Sequence, residues 1–373
     1  MFGSRNFLFA RSAAVGGKLY SWGENANKQL GLGLNTTNYS SPKQVGSTTT
    51  WTQISGGGLF AAGLVTSSTR VWGNNDNGQM GNSGGSGPPV GYSPPASQGV
   101  VIPDVSFLNT ARFGVRIVKT NGTLFGWGNN TYGGLGLGDT VNKYSPTQVG
   151  ALTNWSRAGG LASFSCVAIK TDGTLWTWGD NRDGRLGIGN TTNYSSPKQV
   201  GSDTNWASFA NYGRGRYGTA AIKTNGTLFT WSRNNHGQLG LGNTTDYSSP
   251  KQVAGTTWSK VACHYQGFAA VKTDGTLFTW GRNNNGQLGL GDTTNRSSPS
   301  QVGALTNWAL PIGGYYFNAC VKTDGTLWSW GRNNVGQLGL GNTTDYSSPK
   351  QVGSLTTWIS GATANNSMFG IAS

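Results

Sequence analysis

Short apolar runs alternating with polar residues recur along the whole chain, and each cycle ends in a tryptophan that opens a Gly/Asn-rich stretch. The closing tryptophans are Trp22, Trp72, Trp127, Trp178, Trp231, Trp280 and Trp330, at intervals of 50, 55, 51, 53, 49 and 50 residues. Alternation with a period of two marks half-buried strands, and a fixed spacing near fifty residues marks one supersecondary unit copied many times. That period settles architecture; it says where surfaces lie and not what they bind.

The most regular copy runs from Trp258 to Gln301. An apolar segment after Trp258 is followed by a second, Phe268 to Lys272, then by Thr273-Asp274-Gly275-Thr276 and by Leu277-Phe278-Thr279-Trp280. The Asp-Gly pair predicts a hairpin with a type I′ turn, which needs positive φ at both central residues. The same signal stands at Asn121-Gly122, Asp172-Gly173, Asn225-Gly226 and Asp324-Gly325. The run Asn283 to Gly291 is too rich in glycine for a helix interior. Ser298-Pro299-Ser300-Gln301-Val302 then predicts a short outer strand, where proline is tolerated at an edge.

Three or four strands in about fifty residues make one propeller blade. The last copy, Trp358 to Ser373, stops after its second apolar segment, while the chain begins with the missing half: Lys18 to Trp22, then Ser41-Pro42-Lys43-Gln44-Val45. The fold class predicted is all-β, a seven-bladed propeller closed by pairing of N- and C-terminal strands within one blade, which leaves no open sheet edge. Residues 15–373 form that propeller, with the closing blade made of 358–373 plus 15–50, and residues 1–14 form an N-terminal extension.

The pattern resembles the regulator of chromosome condensation repeat family. The residues that carry the resemblance are Leu327-Trp328-Ser329-Trp330-Gly331-Arg332-Asn333-Asn334-Val335-Gly336-Gln337-Leu338-Gly339-Leu340-Gly341 followed by Ser348-Pro349-Lys350-Gln351-Val352, with equivalents in most other copies. The resemblance covers the chain from about Val15 and implies a seven-bladed propeller. It does not imply one activity, since the family includes a nucleotide-exchange factor for a small nuclear GTPase, a plant ultraviolet photoreceptor and many interaction modules. The Gly-Trp-Arg-His-Thr motif of the photoreceptor is absent here, and most of the 15 tryptophans occupy two repeat positions that predict core and inter-blade packing.

Composition narrows the class. Charged residues are 11%, below the ordinary ~25%, and Glu24 is the sole glutamate, so the polar surface must be built from Asn, Thr, Ser and Gly. No apolar run is long enough to span a membrane. Arg5 and Arg11 interrupt the apolar stretch at Met1 to Val15, a poor match to a secretory signal. Cys166, Cys263 and Cys320 are embedded in apolar strand segments and read as buried thiols; with only His236 and His264 to join them, no metal site is expected.

Catalysis has no visible machinery. The two histidines lie in different blades with no acidic neighbour in sequence, and the aspartates at the hairpin turns interchange with asparagine between copies. No catalytic residue, no metal and no cofactor is predicted.

Charge is the property that points outward: 27 basic residues against 13 acidic ones give a net +14, which suits an acidic partner and permits nonspecific contact with nucleic acid. Lys119, Lys170, Lys223, Lys272 and Lys322 end the second strand of consecutive blades, and Lys43, Lys198, Lys251 and Lys350 follow the blade proline. Both rings are expected to be solvated gatekeepers that keep strands from pairing with strangers. Arg233, Arg282 and Arg332 stand two residues after the tryptophan in three neighbouring blades, where other copies carry Glu24, Asn74, Asn129 and Asp180. This arc reads either as a solvated face or as a site for phosphates or carboxylates.

Two departures from the repeat supply individuality. Asn211-Tyr212-Gly213-Arg214-Gly215-Arg216-Tyr217 inserts arginines flanked by tyrosines and is the first choice for a partner contact. The Pro/Gly-rich excursion between Gly81 and Pro103, which contains Tyr92, either carries contacts or tolerates insertion. The partner-binding residues predicted are therefore Tyr212, Arg214, Arg216, Tyr217, Arg233, Arg282, Arg332 and Tyr92. The reading that follows is a non-enzymatic docking propeller, a structural component of a phage virion or bacterial surface, binding other structural proteins of that assembly or an acidic glycan. The alternative is an intracellular guanine-nucleotide exchange or chromatin-binding factor.

Overall fold

Each copy of the repeat folds as a small antiparallel sheet because its apolar positions alternate. In one blade, strands Trp258–His264, Gly267–Lys272, Leu277–Gly281 and Arg296–Gln301 lie side by side in that order. The proline of the last strand sits at the sheet's outer edge, where its missing N–H costs no ladder bond. A computed structural model describes residues 16–82, 100–161, 164–212 and 218–373 of the chain. There are seven such sheets among the described residues, and they are called blades 1 to 7 here from the inner strands Trp51–Gly56, Val105–Ala111, Trp155–Leu161, Trp206–Phe209, Trp258–His264, Trp308–Gly313 and Trp358–Ala364.

The hairpin turn differs from the type I′ expectation. Positive φ falls on the glycine alone, as at Gly275 (φ +80), while Asp274 and its equivalents keep negative φ. The Gly275 amide donates to the Lys272 carbonyl and the Lys272 amide to Thr276, which is a type I turn followed by a glycine bulge. Asp274 is there for its side chain: Oδ1 accepts from the Thr276 amide at 2.9 Å and from the Thr276 hydroxyl at 2.6 Å. Asn121 accepts from Thr123, and Asn225 from Thr227, in the same way, so a charge is not required and Asp and Asn interchange freely.

Ring closure follows the sequence expectation. Lys18–Gly23 pairs on one side with Ser367–Ala372 and on the other with Tyr39–Gln44, so blade 7 holds its two inner strands from the chain's end and its two outer strands from its beginning. Residues 1–15 lie outside the described part.

Between blades the tryptophans act as staples. Trp22 donates its indole N–H to the Gln337 carbonyl of blade 6 at 3.0 Å, and Trp72, Trp127, Trp178, Trp231 and Trp330 reach the loop of the preceding blade in the same manner, at 2.8–3.0 Å. Glycine makes the approach possible: a Cβ on Gly339 (φ +74) would stand 2.6 Å from the Trp22 Nε1. Trp280 is the exception, fully buried with its N–H unbonded.

The long loop of each regular blade is organised by one buried asparagine. Asn333 donates from Nδ2 to the Asn342 carbonyl and side-chain oxygens, accepts the Leu338 amide on Oδ1, and gives its own amide to Asp345. Asn25, Asn130, Asn181, Asn234 and Asn283 repeat the arrangement. Two blades depart from the pattern. Among the described residues blade 1 has three strands, and residues 100–102 lie along Thr69 through bonds to Val100 and Ile102. In blade 4 the inner strand stops at Phe209, and Asn211–Tyr212 crosses to pair in parallel with Ala262 and Cys263 of blade 5.

Two consequences are testable. Trp22→Phe removes both volume and staple, whereas Trp280→Phe removes volume from a site with no bond to lose. Urea unfolding should show Trp22→Phe less stable than Trp280→Phe by about 1 kcal/mol, and equal losses would show that the staple contributes nothing. His264 is fully buried, and desolvation pushes its imidazole down to about 3. The unfolded chain therefore binds a proton there near pH 6.5 that the native state refuses. Stability should fall as pH drops from 6.5 towards 4.5, by up to ~1.4 kcal/mol per pH unit from this group, with no contribution above that range. His264→Leu, which places the residue found at Leu161 of blade 3, should flatten that slope in urea midpoints measured across the window.

Candidate protein-docking face

Chain direction within a blade sorts its loops onto two faces. The Asp-Gly turns and the starts of the inner strands share one face; the turn between first and second strands and the Asn-rich loop share the other. The first face is sealed by lysines seated on aromatic rings. Lys170 Nζ lies 3.8 Å from the Trp176 ring centre and Lys322 3.9 Å from that of Trp328, while Lys223 and Lys272 sit over Phe229 and Phe278. Lys170 and Lys322 are buried. This corrects the expectation of solvated gatekeepers: the ammonium is held on the face of the ring, where the π-cloud attracts it. The lysines after the blade proline lie near tyrosines, as Lys198 does at 5.1 Å from Tyr194, but they stay exposed as expected of solvated residues.

The opposite face carries the arginine arc. Arg282 donates from Nη1 to Gln266 Oε1 at 2.7 Å, and its guanidinium carbon lies 5.7 Å from the centre of Tyr316. Arg332 approaches the same ring at 5.7 Å. Tyr316 is packed against Tyr315 and Tyr265, with ring centres 4.3 and 4.9 Å away, and Tyr265 and Tyr315 are 4.5 Å apart. All three rings are half-buried. Burial, with a hydrogen bond to Tyr315, pushes the Tyr316 hydroxyl up to about 12, so it remains a neutral donor. His236 is half-buried beside this group, and its imidazole is held below its usual range first by burial and then by Arg282 and Arg233. Arg282 of blade 5 and Arg233 of blade 4 thus both act on His236, and Tyr316 brings in blade 6 through Arg282 and Arg332.

Blades 2 and 3 build a related aromatic group with a different charge balance. Phe113 stacks on Phe164 at 5.3 Å, Tyr132 packs on Phe164 at 4.9 Å, and Arg112 and Arg182 cover Phe113 and Tyr132. Arg182 is matched by Asp180, its Nε donating at 2.9 Å. Asp180 is fully buried and also pairs with Arg185. In blade 7 the corresponding position holds Glu24, which accepts from Asn366. At this repeat position blades 4 to 6 therefore carry arginine where blades 3 and 7 carry Asp180 and Glu24.

Of the residues expected to bind a partner, Arg282 and Arg332 are brought together at Tyr316, and Arg233 joins them through His236. Tyr212 is placed by its backbone in the strand that crosses to blade 5. Arg214, Arg216, Tyr217 and Tyr92 lie outside the described residues. Tyr265, Gln266, Tyr315 and Tyr316 were not expected. Their signal was the turn between first and second strands, where blades 5 and 6 carry His264-Tyr265-Gln266 and Gly314-Tyr315-Tyr316 in place of a repeat residue.

The three cysteines are buried, with burial pushing Cys166 up to about 11 and Cys320 up to about 12. Among the described residues, no three His, Cys, Asp or Glu side chains group as metal ligands and no helix is long and apolar enough to cross a membrane.

The Regulator of chromosome condensation (RCC1) repeat matches residues 16–64, 121–166, 172–221, 225–271, 274–321 and 324–367. The mouse E3 ubiquitin-protein ligase HERC2 is 26% identical over 267 residues, 69% of this chain and 5% of that protein. The Arabidopsis thaliana ultraviolet-B receptor UVR8 is 31% identical over 189 residues, 49% of this chain and 41% of the receptor. The chain spans less than half the length of these curated relatives. Among solved structures, Prp20p from Saccharomyces cerevisiae, described with its binding to Gsp1p and histones, superposes with a TM-score of 0.83 at 18% identity over 96% of this chain and 92% of that one. Human WBSCR16 gives 0.82 at 19% identity over 95% of this chain and all of that one. Both likenesses are of fold. With six repeat matches covering most of the chain and the ring closed on itself, the chain belongs to the regulator of chromosome condensation repeat family.

Proposed function

We propose that the chain is a non-enzymatic docking propeller that takes an acidic protein surface on the arginine and tyrosine arc of blades 4 to 6. The observation that carries this reading is the convergence of Arg282 and Arg332 on Tyr316 within a cluster of three half-buried tyrosines. Tyrosine and arginine are the residues that dominate interface energies, because each offers large contact area with a directed polar end. Arg282, already held by Gln266, loses little freedom on meeting a carboxylate. The net charge of +14 would speed encounter with an acidic partner.

We include Tyr212, Arg214, Arg216 and Tyr217 in the docking surface because their sequence sets arginines beside tyrosines; Tyr92 is a further candidate. An intracellular setting is favoured over a virion or cell surface, since the relatives named above come from mouse, plant, yeast and human. The virion reading rests on the near-identical repeats and the Asn/Thr/Gly surface alone. Guanine-nucleotide exchange would be the same docking put to use on a GTPase, and chromatin binding through histones fits poorly with a basic chain.

Binding of a glutamate-rich peptide to the immobilised chain tests the docking surface. Arg282→Glu with Arg332→Glu should weaken it at least tenfold, and Tyr316→Ala several-fold, while Lys43→Gln on an outer strand should leave it unchanged. Equal binding by all variants would remove the arc from the account. Faster release of labelled guanine nucleotide from Gsp1p, lost in the double variant, would assign exchange.

A further inference from the structure

One cleft between neighbouring blades shows what a ring-bound lysine takes as its partner. Between blades 3 and 4 an open cavity of about 380 Å³ has Trp206, Phe229 and Asp203 in its wall. Lys223 lies 5.0 and 4.6 Å from the centres of the two rings, and its Nζ meets Asp203 Oδ2 at 2.9 Å. A carboxylate held in this cleft therefore reaches the ammonium beside the aromatic pair.

Between blades 5 and 6 the cleft recurs with that carboxylate replaced by a leucine. Its cavity of about 360 Å³ has Trp308, Trp328 and Leu305 at the equivalent positions. Lys322 lies 4.7 and 3.9 Å from the two ring centres and is only 6% exposed. Among the described residues no carboxylate stands within ion-pair distance of it. Burial holds Lys322 below its usual range, offset in part by Asp324 two residues on, but Asp324 Oδ1 is taken by the Thr326 amide and hydroxyl. Leu305, 48% exposed, adds an apolar lip beside the half-buried Trp328.

The ten residues that line this cavity recur without change of type between blades 2 and 3. There Leu152 is 47% exposed, and Lys170, 8% exposed, lies 5.0 and 3.8 Å from the centres of Trp155 and Trp176. It too has no carboxylate within ion-pair distance among the described residues. Asp172 is committed to Thr174 as Asp324 is to Thr326. Between blades 4 and 5 the linker into the inner strand is one residue shorter, five steps from Val253 to Trp258 against six from Val302 to Trp308, and it brings no leucine. The repeat thus meets its ring-bound lysine with an internal acid in one cleft and leaves it facing a leucine in two.

We infer that the clefts between blades 5 and 6 and between blades 2 and 3 each bind a short segment of a partner protein in which an aspartate or glutamate adjoins a bulky apolar residue. The carboxylate takes the place that Asp203 holds against Lys223 and pairs with Lys322 or Lys170. The apolar side chain covers Leu305 and Trp328, or Leu152 and Trp176. A cavity of this size suits a few side chains, and the internal occupant, Asp203, is itself a side chain carried on a linker. The arginine arc lies on the opposite face, so this binding is independent of it.

The test uses the full chain and a labelled Gly-Asp-Leu-Phe-Gly peptide capped at both ends, followed by fluorescence anisotropy and calorimetry. Two sites per chain are expected, and replacing the peptide's aspartate by asparagine should weaken binding about tenfold. Leu305→Asp copies the arrangement of Asp203, so it should satisfy Lys322 from within and remove one site; combined with Leu152→Asp it should remove both. Leu305→Asn with Leu152→Asn loses the leucines without adding charge and should bind more tightly than the aspartate pair. Arg282→Glu with Arg332→Glu should leave peptide binding intact, which separates these clefts from the docking face. No binding by the parent chain, undiminished binding by the aspartate pair, or equal affinity for the asparagine peptide would overturn the inference. Should the aspartate pair fail to fold, the two single variants decide by the same site count.

Discussion

The hydrogen bond from a buried indole N–H to a backbone carbonyl of the preceding blade is the constraint around which the ring is built. A tryptophan at the end of the third strand fills the inter-blade space with apolar area, yet it brings a donor that cannot be left unbonded at low cost. The neighbouring loop supplies the acceptor only because a left-handed glycine lets the backbone come within contact of the indole. Made at six of the seven blades, the bond couples a blade to its predecessor, and the Trp22 to Gln337 bond ties the chain's first strands to blade 6.

Rigidity at the rim follows from a second repeated device. The buried asparagine in each long loop answers several backbone groups at once, so that a stretch with little apolar content folds without a core of its own. Loops fixed in this manner can hold arginines at set positions two residues past the tryptophan. On the other face, lysines that would be free at a strand end lie on tryptophan and phenylalanine rings. Part of the charge on that face is thereby absorbed into packing, as at Lys170 and Lys322, while Lys43, Lys198, Lys251 and Lys350 on the outer strands stay exposed.

The arginine arc was legible because arginine replaces Glu24, Asn74, Asn129 and Asp180 at one repeat position. Its tyrosines were not, although Tyr265, Tyr315 and Tyr316 stand equally far outside the repeat. They belong to turns about fifty residues apart, and only the stacking of blade 6 against blade 5 brings Tyr265 within ring contact of the Tyr315-Tyr316 pair. The hairpin turns were located correctly from Asp-Gly but assigned the wrong geometry, because an aspartate that accepts from a threonine two residues on stabilises negative φ at its own position.

Alternating apolar residues, the fifty-residue period and the split final copy determined by themselves the strands, the number of blades and the closure, since each is a local or periodic property that burial enforces in every copy. Whether a charged side chain is solvated, stacked or shared between blades is not periodic. It depends on which ring or carboxylate the next blade presents, and that was decided only when the blades closed around a common axis: Lys170 came to rest on Trp176, Arg182 on Asp180, and Arg282 and Arg332 on a single tyrosine.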